Sequence, residues 1–216
     1  MRRRIQLSCA VLTLAWVAAG CARVSLDTVR TGVAAGHGHL ITGVPFIPQD
    51  EYQCGPASLA MVLQYYGATI GQEEIAQELY LPSVRGALNF DLEFYARRRG
   101  FQARSFQGTL EGAKDELRRG RPLIVFQDLG VMRYPVPHFA VLLGYDDRAG
   151  AVVLHSGPTA YRVVSYDEFE RTWARRRAWT LLITPRGESV STRSAPLPSV
   201  LWERRPRSPV GRRAGG

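Results

Sequence analysis

The sequence predicts an α+β fold in which helices come first and an antiparallel sheet follows. Three observations carry that expectation. Between about residues 54 and 119, apolar residues recur at helical spacing in four successive runs, three of them closed by Pro82, Gly100 and Gly120. From Pro122 the pattern changes to short apolar runs suited to strands. Between two of these, Asp146-Asp147-Arg148-Ala149-Gly150 is a hairpin turn signal, which makes the flanking strands antiparallel.

Taken from the N-terminus, residues 1–20 have the three parts of a secretory signal. Arg2, Arg3 and Arg4 form a basic region, Ile5 to Ala19 an apolar one, and Ala18-Ala19-Gly20 a small-residue cleavage site. The apolar run is shorter than the roughly 20 residues a spanning helix needs. Residues 21–43 are poor in bulky side chains and rich in Gly, Ala, Thr and Val, and read as a flexible tether. Val44-Pro45-Phe46-Ile47-Pro48 is a short extended lead-in, because each proline disfavours helix before it.

A first helix begins at about Cys54, with Leu59, Met61, Val62, Leu63 and Tyr66 at helical spacing and Pro56 where a first helical residue tolerates its missing N–H. A second is expected over Thr69 to Leu79. A third spans Leu88 to Arg99, with Leu88, Leu92, Phe94 and Tyr95 inward and Arg97, Arg98 and Arg99 complementing the dipole of its last turn. A fourth covers Leu110 to Arg119. Strands are expected at Pro122–Phe126, His138–Tyr145, Ala151–Leu154, Tyr161–Val164 and Ala178–Ile183, with a Pro-rich loop from Asp128 to Pro137. Between the last two strands Ser165, with Glu168 three residues on, forms a capping box for a short helix through Trp173. The chain thus divides into signal (1–20), tether (21–43), one domain (44–185) and a Ser-, Pro- and Arg-rich tail (186–216) that reads as disordered.

The formal net charge of +9 suggests nucleic acid, but its distribution argues otherwise. Three of those charges leave with the signal and a net five lie in the tail, so residues 21–185 carry only +1. No aromatic-interleaved basic patch occurs among them, and nucleic acid is not an expected partner. The tail could touch anionic lipid headgroups or remain a solvated end.

Cysteine usage is more informative. Val17-Ala18-Ala19-Gly20-Cys21 resembles the lipobox of bacterial lipoproteins, with Ala18 where Leu is usual. The resemblance implies that Cys21 is lipidated and becomes the mature N-terminus, and more than one acyl chain is what stable anchoring takes. Ala22, in place of the Asp usual for inner-membrane retention, points to the outer membrane and a periplasm-facing domain. Cys9 leaves with the signal, so Cys54 is the one cysteine left unassigned. That excludes a disulfide framework and argues against a cysteine-rich zinc site. A thiol at a helix start can be activated, since the free N–H groups there lower its pKa to about 3.5–7.5 from about 8.5.

A thiol nucleophile needs a base, and His138, which opens a strand after the Pro-rich loop, is the best placed of the mature histidines. Pro48-Gln49, Tyr52-Gln53-Cys54-Gly55-Pro56-Ala57-Ser58 and, later, Pro137-His138-Phe139-Ala140-Val141 together resemble the papain-like cysteine peptidase domain that removes double-glycine leaders from bacteriocin precursors. The resemblance spans about Val44 to Pro185. It implies a papain-like fold with Cys54 as nucleophile, His138 as general base and Gln49 as side-chain donor of the oxyanion hole. Gln53 is a nearby competitor for that last role.

The family usually places Asp or Asn after the next strand to steady the imidazole. Here Leu154-His155-Ser156-Gly157 stands there, and alignment puts Ser156 at the position. If Tyr145 pairs with Ala151, Ser156 falls opposite Ala140 on the face of His138, whereas a one-residue slip presents His155. A serine can orient an imidazole but cannot stabilise imidazolium as a carboxylate does. The resemblance implies hydrolysis of a peptide bond in a peptide or protein, with cleavage after Gly-Gly as the family's specificity, and the expectation is a monomer without cofactor or metal. A degenerate peptide-binding module is the alternative, and transfer of the acyl group to an amine is left open.

Overall fold

The computed structural model describes residues 24–49, 53–83, 86–131 and 133–187. The signal over 1–20, the lipidation site Cys21 and the tail from Glu188 lie outside the described residues. No helix among those described is long and apolar enough to cross a membrane.

The described residues begin with helix α1 (Leu26–Ala34) and strand β1 (Gly38–Leu40). These fall within the expected tether and correct it from Val24 onward. Ser25 caps α1 by accepting from the Thr28 N–H, and Val29 is fully buried. The glycine at position 32 lets α1 settle on the β-sheet, since a Cβ there would lie 1.9 Å from Oδ2 of Asp146. Small residues here provide close packing rather than flexibility.

Residues 41–49 have no regular structure, and the next described element is helix α2 (Cys54–Tyr65), which is buried continuously from Gly55 to Leu63. Around it stand α3 (Gln72–Leu79), shorter at its start than expected because Gly71 is its N-cap, and α4 (Asn89–Arg98). In α4 the buried residues are Leu92, Tyr95 and Ala96. Leu88 and Phe94, expected inward, are 44% and 59% exposed. At 100° per residue Phe94 falls opposite the Leu92–Tyr95–Ala96 stripe, alongside Phe90.

Strand β2 (Gln102–Gln107), unforeseen in the sequence, precedes α5 (Leu110–Arg118). Then come β3 (Leu123–Asp128), β4 (Pro137–Asp146), β5 (Ala151–Ser156), β6 (Thr159–Ser165), α6 (Tyr166–Ala174) and β7 (Trp179–Thr184). The capping box forms as read, with Ser165 Oγ accepting from the Glu168 N–H at 3.3 Å.

All pairings are antiparallel in a sheet ordered β2-β7-β3-β4-β5-β6, with β1 continuing along β4 beyond the end of β3. The α+β expectation is met. β4 lies at the centre, its residues from Phe139 to Asp146 buried, and α2 packs across it. Leu59, Met61, Leu63, Ile124, Leu142 and Leu143, all without exposed surface, form the middle of the core between helix and sheet.

Candidate active site

Cys54 is the first residue of α2, as the sequence suggested, and its half-buried side chain lies where the helix start meets the beginning of β4. Pro56 is the third helical residue rather than the first, still within the turn whose N–H groups lack intrahelical partners. Gly55 permits the close approach around the thiol. A Cβ on it would meet Ala87 at 3.3 Å and the Phe139 ring at 3.4 Å.

The electrostatics of the thiol depart from the sequence expectation. Burial pushes the Cys54 pKa above its ordinary value, and the hydrogen bonds from the backbone N–H groups of Phe139, Gly55 and Cys54 itself only partly offset it. Desolvation outweighs the helix start. Phe139 follows His138 in the chain, so the thiol sits against the backbone next to the expected base.

His138 is half-buried, and desolvation, with the positive charge of Arg162 on β6 adding to it, lowers its pKa to about 4. Its Nε2 lies 3.0 Å from Ser156 Oγ. The hairpin that makes this contact is anchored one residue away from the assumed pairing, with Tyr145 opposite Val152 and Asp146 opposite Ala151. A β-bulge between Leu142 and Gly144 then shifts the register, placing His155 opposite Val141. Continued one residue further, it brings Ser156 to Ala140 and the face of His138. His155 faces the other way, fully buried between the rings of Phe46 and Tyr161. Its Nε2 lies 3.2 Å from the Val44 carbonyl and its Nδ1 accepts from the Tyr161 N–H, so it is a neutral imidazole fixed in the core. Asp146 and Asp147 are at the far end of the hairpin. Asp146 Oδ1 accepts from the N–H groups of Arg148 and Ala149, and Asp147 pairs with Lys114 and Tyr166.

Gln49 is buried and its amide orientation is determined by its partners. The Gly157 N–H donates to Oε1 at 3.0 Å, so the amino group must face α2, where Nε2 donates to Ser58 Oγ at 3.1 Å. Ser58 lies four residues after Cys54, on the same helical face. One N–H of the amide remains on that side. Gln53, the competitor, is instead tied through its Oε1 to the side chain of Gln72. Neither Ser58 nor Gly157 was singled out in the sequence, although the i, i+4 spacing from Cys54 marks the first and the Ser-Gly-Pro turn the second. Arg162 carried no local signal, since its effect on His138 depends on β5–β6 pairing.

Beside this cluster Phe139 stacks on Phe126 at 4.3 Å and meets Trp179 edge-on at 5.7 Å. Phe126 and Trp179 also line a surface groove with Phe90, Phe106, Arg175 and Arg177. Among the described residues no group of His, Cys, Asp or Glu is arranged to hold a metal ion.

Comparison with solved structures gives the same architecture. A C39-like peptidase from Bacillus anthracis superposes with a TM-score of 0.58 at 20% identity, covering 70% of this chain and 99% of the other. The peptidase domain of Streptococcus ComA, a bifunctional ABC transporter of a quorum-sensing pathway, gives 0.52 at 21% identity over 66% and 99% of the two chains. A double-glycine-motif protease from an AMS/PCAT transporter, solved with its leader peptide, gives 0.51 at 23% identity over 68% and 98%. At these identities the likeness is one of fold. No curated protein matches the sequence. A family model does, from residue 41 to residue 180, which takes in Gln49, Cys54, His138 and Ser156 together, and on that match the chain belongs to the Peptidase_C39 like family.

Proposed function

We propose that this protein is a cysteine peptidase that cleaves a peptide bond, after Gly-Gly in its substrate, through a thioester on Cys54. The observation that carries the reading is a thiol at the start of α2 that accepts from the Phe139 N–H, beside a histidine with a defined partner in the chain, with an oriented carboxamide tied to the same helix at Ser58. His138 Nε2 is engaged with Ser156, which leaves Nδ1 for the thiol proton. Because the thiol is raised and the imidazole lowered, both are neutral at pH 7, and the proton moves as the sulfur attacks rather than beforehand.

Attack on the scissile carbonyl forms a tetrahedral oxyanion, which accepts from the Cys54 backbone N–H and the free N–H of Gln49. Losing such a donor costs about 100- to 1,000-fold in rate. The imidazolium returns its proton to the leaving amine and the thioester remains. Water, activated by the now neutral His138, attacks that thioester and releases the acid and the thiol. The double-glycine specificity is taken from the AMS/PCAT protease and the family, and the groove lined by Phe90, Phe106, Phe126 and Trp179 would take the extended peptide. With Cys21 lipidated, the domain works on the periplasmic face of the outer membrane.

A second reading, a module that holds peptides without cutting them, draws on one specific observation. Ser156 occupies the imidazole partner's position, where a hydroxyl can donate as readily as accept. If it donates, the proton stays on Nδ1 and the base is blocked. A peptidyl-Gly-Gly fluorogenic amide separates the two readings: turnover that disappears in Cys54→Ala supports the peptidase. Binding of the same peptide with no turnover by the wild type, and no acylation by a thiol-directed probe, leaves the binding module. Labelled palmitate entering the wild type but not Cys21→Ser tests the anchor separately.

A further inference from the structure

The carboxamide of Gln49 is held at both ends by residues that have no chemistry of their own in the proposed reaction. Its Oε1 accepts from the Gly157 N–H at 3.0 Å, its Nε2 donates to Ser58 Oγ at 3.1 Å, and its backbone N–H donates to the Gly157 carbonyl at 3.1 Å. Gly157 has φ +58, a left-handed conformation that glycine adopts without strain. The residue before it is Ser156, whose Oγ lies 3.0 Å from Nε2 of His138. Consecutive residues of one tight turn between β5 and β6 therefore touch the two side chains that must act on opposite sides of the same carbonyl.

We propose that Ser58 and the Ser156–Gly157 turn are positioning residues for this reaction. Ser58 and Gly157 fix the plane of the Gln49 amide so that its second N–H faces the oxyanion. The turn sets that amide and the His138 ring from a single joint. Ser58 does this without touching substrate: it lies one helical turn beyond Cys54 on the same face, fully buried, and accepts from the Gln49 amino group. A free glutamine amide samples both flips and many torsions. One held by two hydrogen bonds presents its donor before substrate arrives, which is the preorganisation that makes such a donor effective.

This inference rests on the peptidase reading, and a double-mutant cycle distinguishes the two. Ser58→Ala, Gln49→Ala and the double variant are assayed with the peptidyl-Gly-Gly fluorogenic amide, and Cys54 alkylation by iodoacetamide is followed in each. Ser58→Ala is expected to lower kcat about 10- to 100-fold, the scale of a misplaced catalytic group, with KM and the alkylation rate within about two-fold of wild type. In the Gln49→Ala background it should cost less than about two-fold, because its effect passes through the missing amide. Gly157→Ala, which has open space for its Cβ but an unfavourable φ, should lower kcat and be non-additive with both Gln49→Ala and Ser156→Ala. Binding of a peptidyl-Gly-Gly aldehyde, whose hemithioacetal carries the oxyanion, should weaken in parallel with kcat. Full activity in Ser58→Ala, or a loss equally large with and without Gln49, overturns the positioning role while the peptidase reading stands. A wild type that neither turns over the amide nor binds the aldehyde overturns both.

Discussion

The protonation state of the Cys54–His138 pair can be tested directly. In a resting thiolate–imidazolium pair the sulfur is charged across neutral pH. The structure gives the opposite arrangement. Burial raises the thiol above its ordinary value, and burial with Arg162 lowers the imidazole to about 4. A proton moved from sulfur to ring therefore moves uphill, onto an imidazole that carries one in only about one molecule in a thousand at pH 7. The thiol is the neutral form at that pH. Iodoacetamide reacts with the thiolate alone, so the logarithm of its rate with Cys54 should climb with a slope near one from pH 6 through pH 9. Absorbance at 240 nm should show thiolate only in the same range, and His138→Ala should leave the profile below pH 8 unchanged. A flat, fast plateau between pH 5 and 8 that collapses in His138→Ala would refute the reasoning, because it requires an ion pair that burial has not suppressed.

Other perturbations follow from the same geometry. Ser156→Asp places a carboxylate within reach of Nε2 and should raise the His138 pKa by about one to three units, read from its ring proton shifts in NMR; no change would mean the ring has moved away. His138 and His155 are both held below the ordinary imidazole value, so the unfolded chain takes up these protons first and stability falls as pH drops from about 6.5 towards 4. His138 accounts for about 3 kcal/mol of that loss, and urea unfolding at pH 7.5 and 4.5 should show it, with a smaller difference in His138→Gln. In α4, Leu92→Ala should cost about 2–5 kcal/mol while Phe94→Ser stays within about 0.5 kcal/mol by urea midpoint; equal losses would reverse the assignment of the helix faces. Gly32→Ala should destabilise by about 1–3 kcal/mol by driving a methyl into the Asp146 carboxylate, and an unchanged melting temperature would mean α1 is not seated on β4.

What was legible in the sequence was what local chemistry determines. The helical spacing of the first half, the capping box at Ser165, strands of contiguous Val, Leu and Ile, and the hairpin turn were all readable, and the strand ends moved by only a residue or two. β2 was not readable because Gln-Ala-Arg-Ser-Phe-Gln has neither β-branched residues nor clean alternation. It is held by partners outside it instead: β7 along one edge, Glu93 accepting from Ser105, and Arg97 donating to the Ala103 carbonyl. The N-terminal segment misled for a different reason. Gly and Ala there read as a spacer, yet Gly32 and Gly38 are positions where another backbone or a buried carboxylate passes too close for any side chain. Composition cannot distinguish a glycine that loosens a chain from one that lets it pack. The cap at Ser25 was the one local sign of helix.

The candidate site shows the same division between residue type and three-dimensional placement. Cys54, His138 and Gln49 could be named from their motifs, but the choice between Ser156 and His155 could not, because it depends on a parity. From Gly144 opposite Val153, an unbroken ladder would place His155 opposite Leu142, on the face of His138, and would turn Ser156 away. The extra residue at Leu143 reverses that, setting Leu142 against Leu154 and Val141 against His155. A single bulge therefore gives the His138 imidazole a hydroxyl neighbour and sends the second histidine to the core, where the Val44 carbonyl and the Tyr161 N–H occupy both of its nitrogens. The sign of the thiol's pKa was equally out of reach. A helix start predicts a lowered value, and only the burial of the thiol in the folded chain raises it instead.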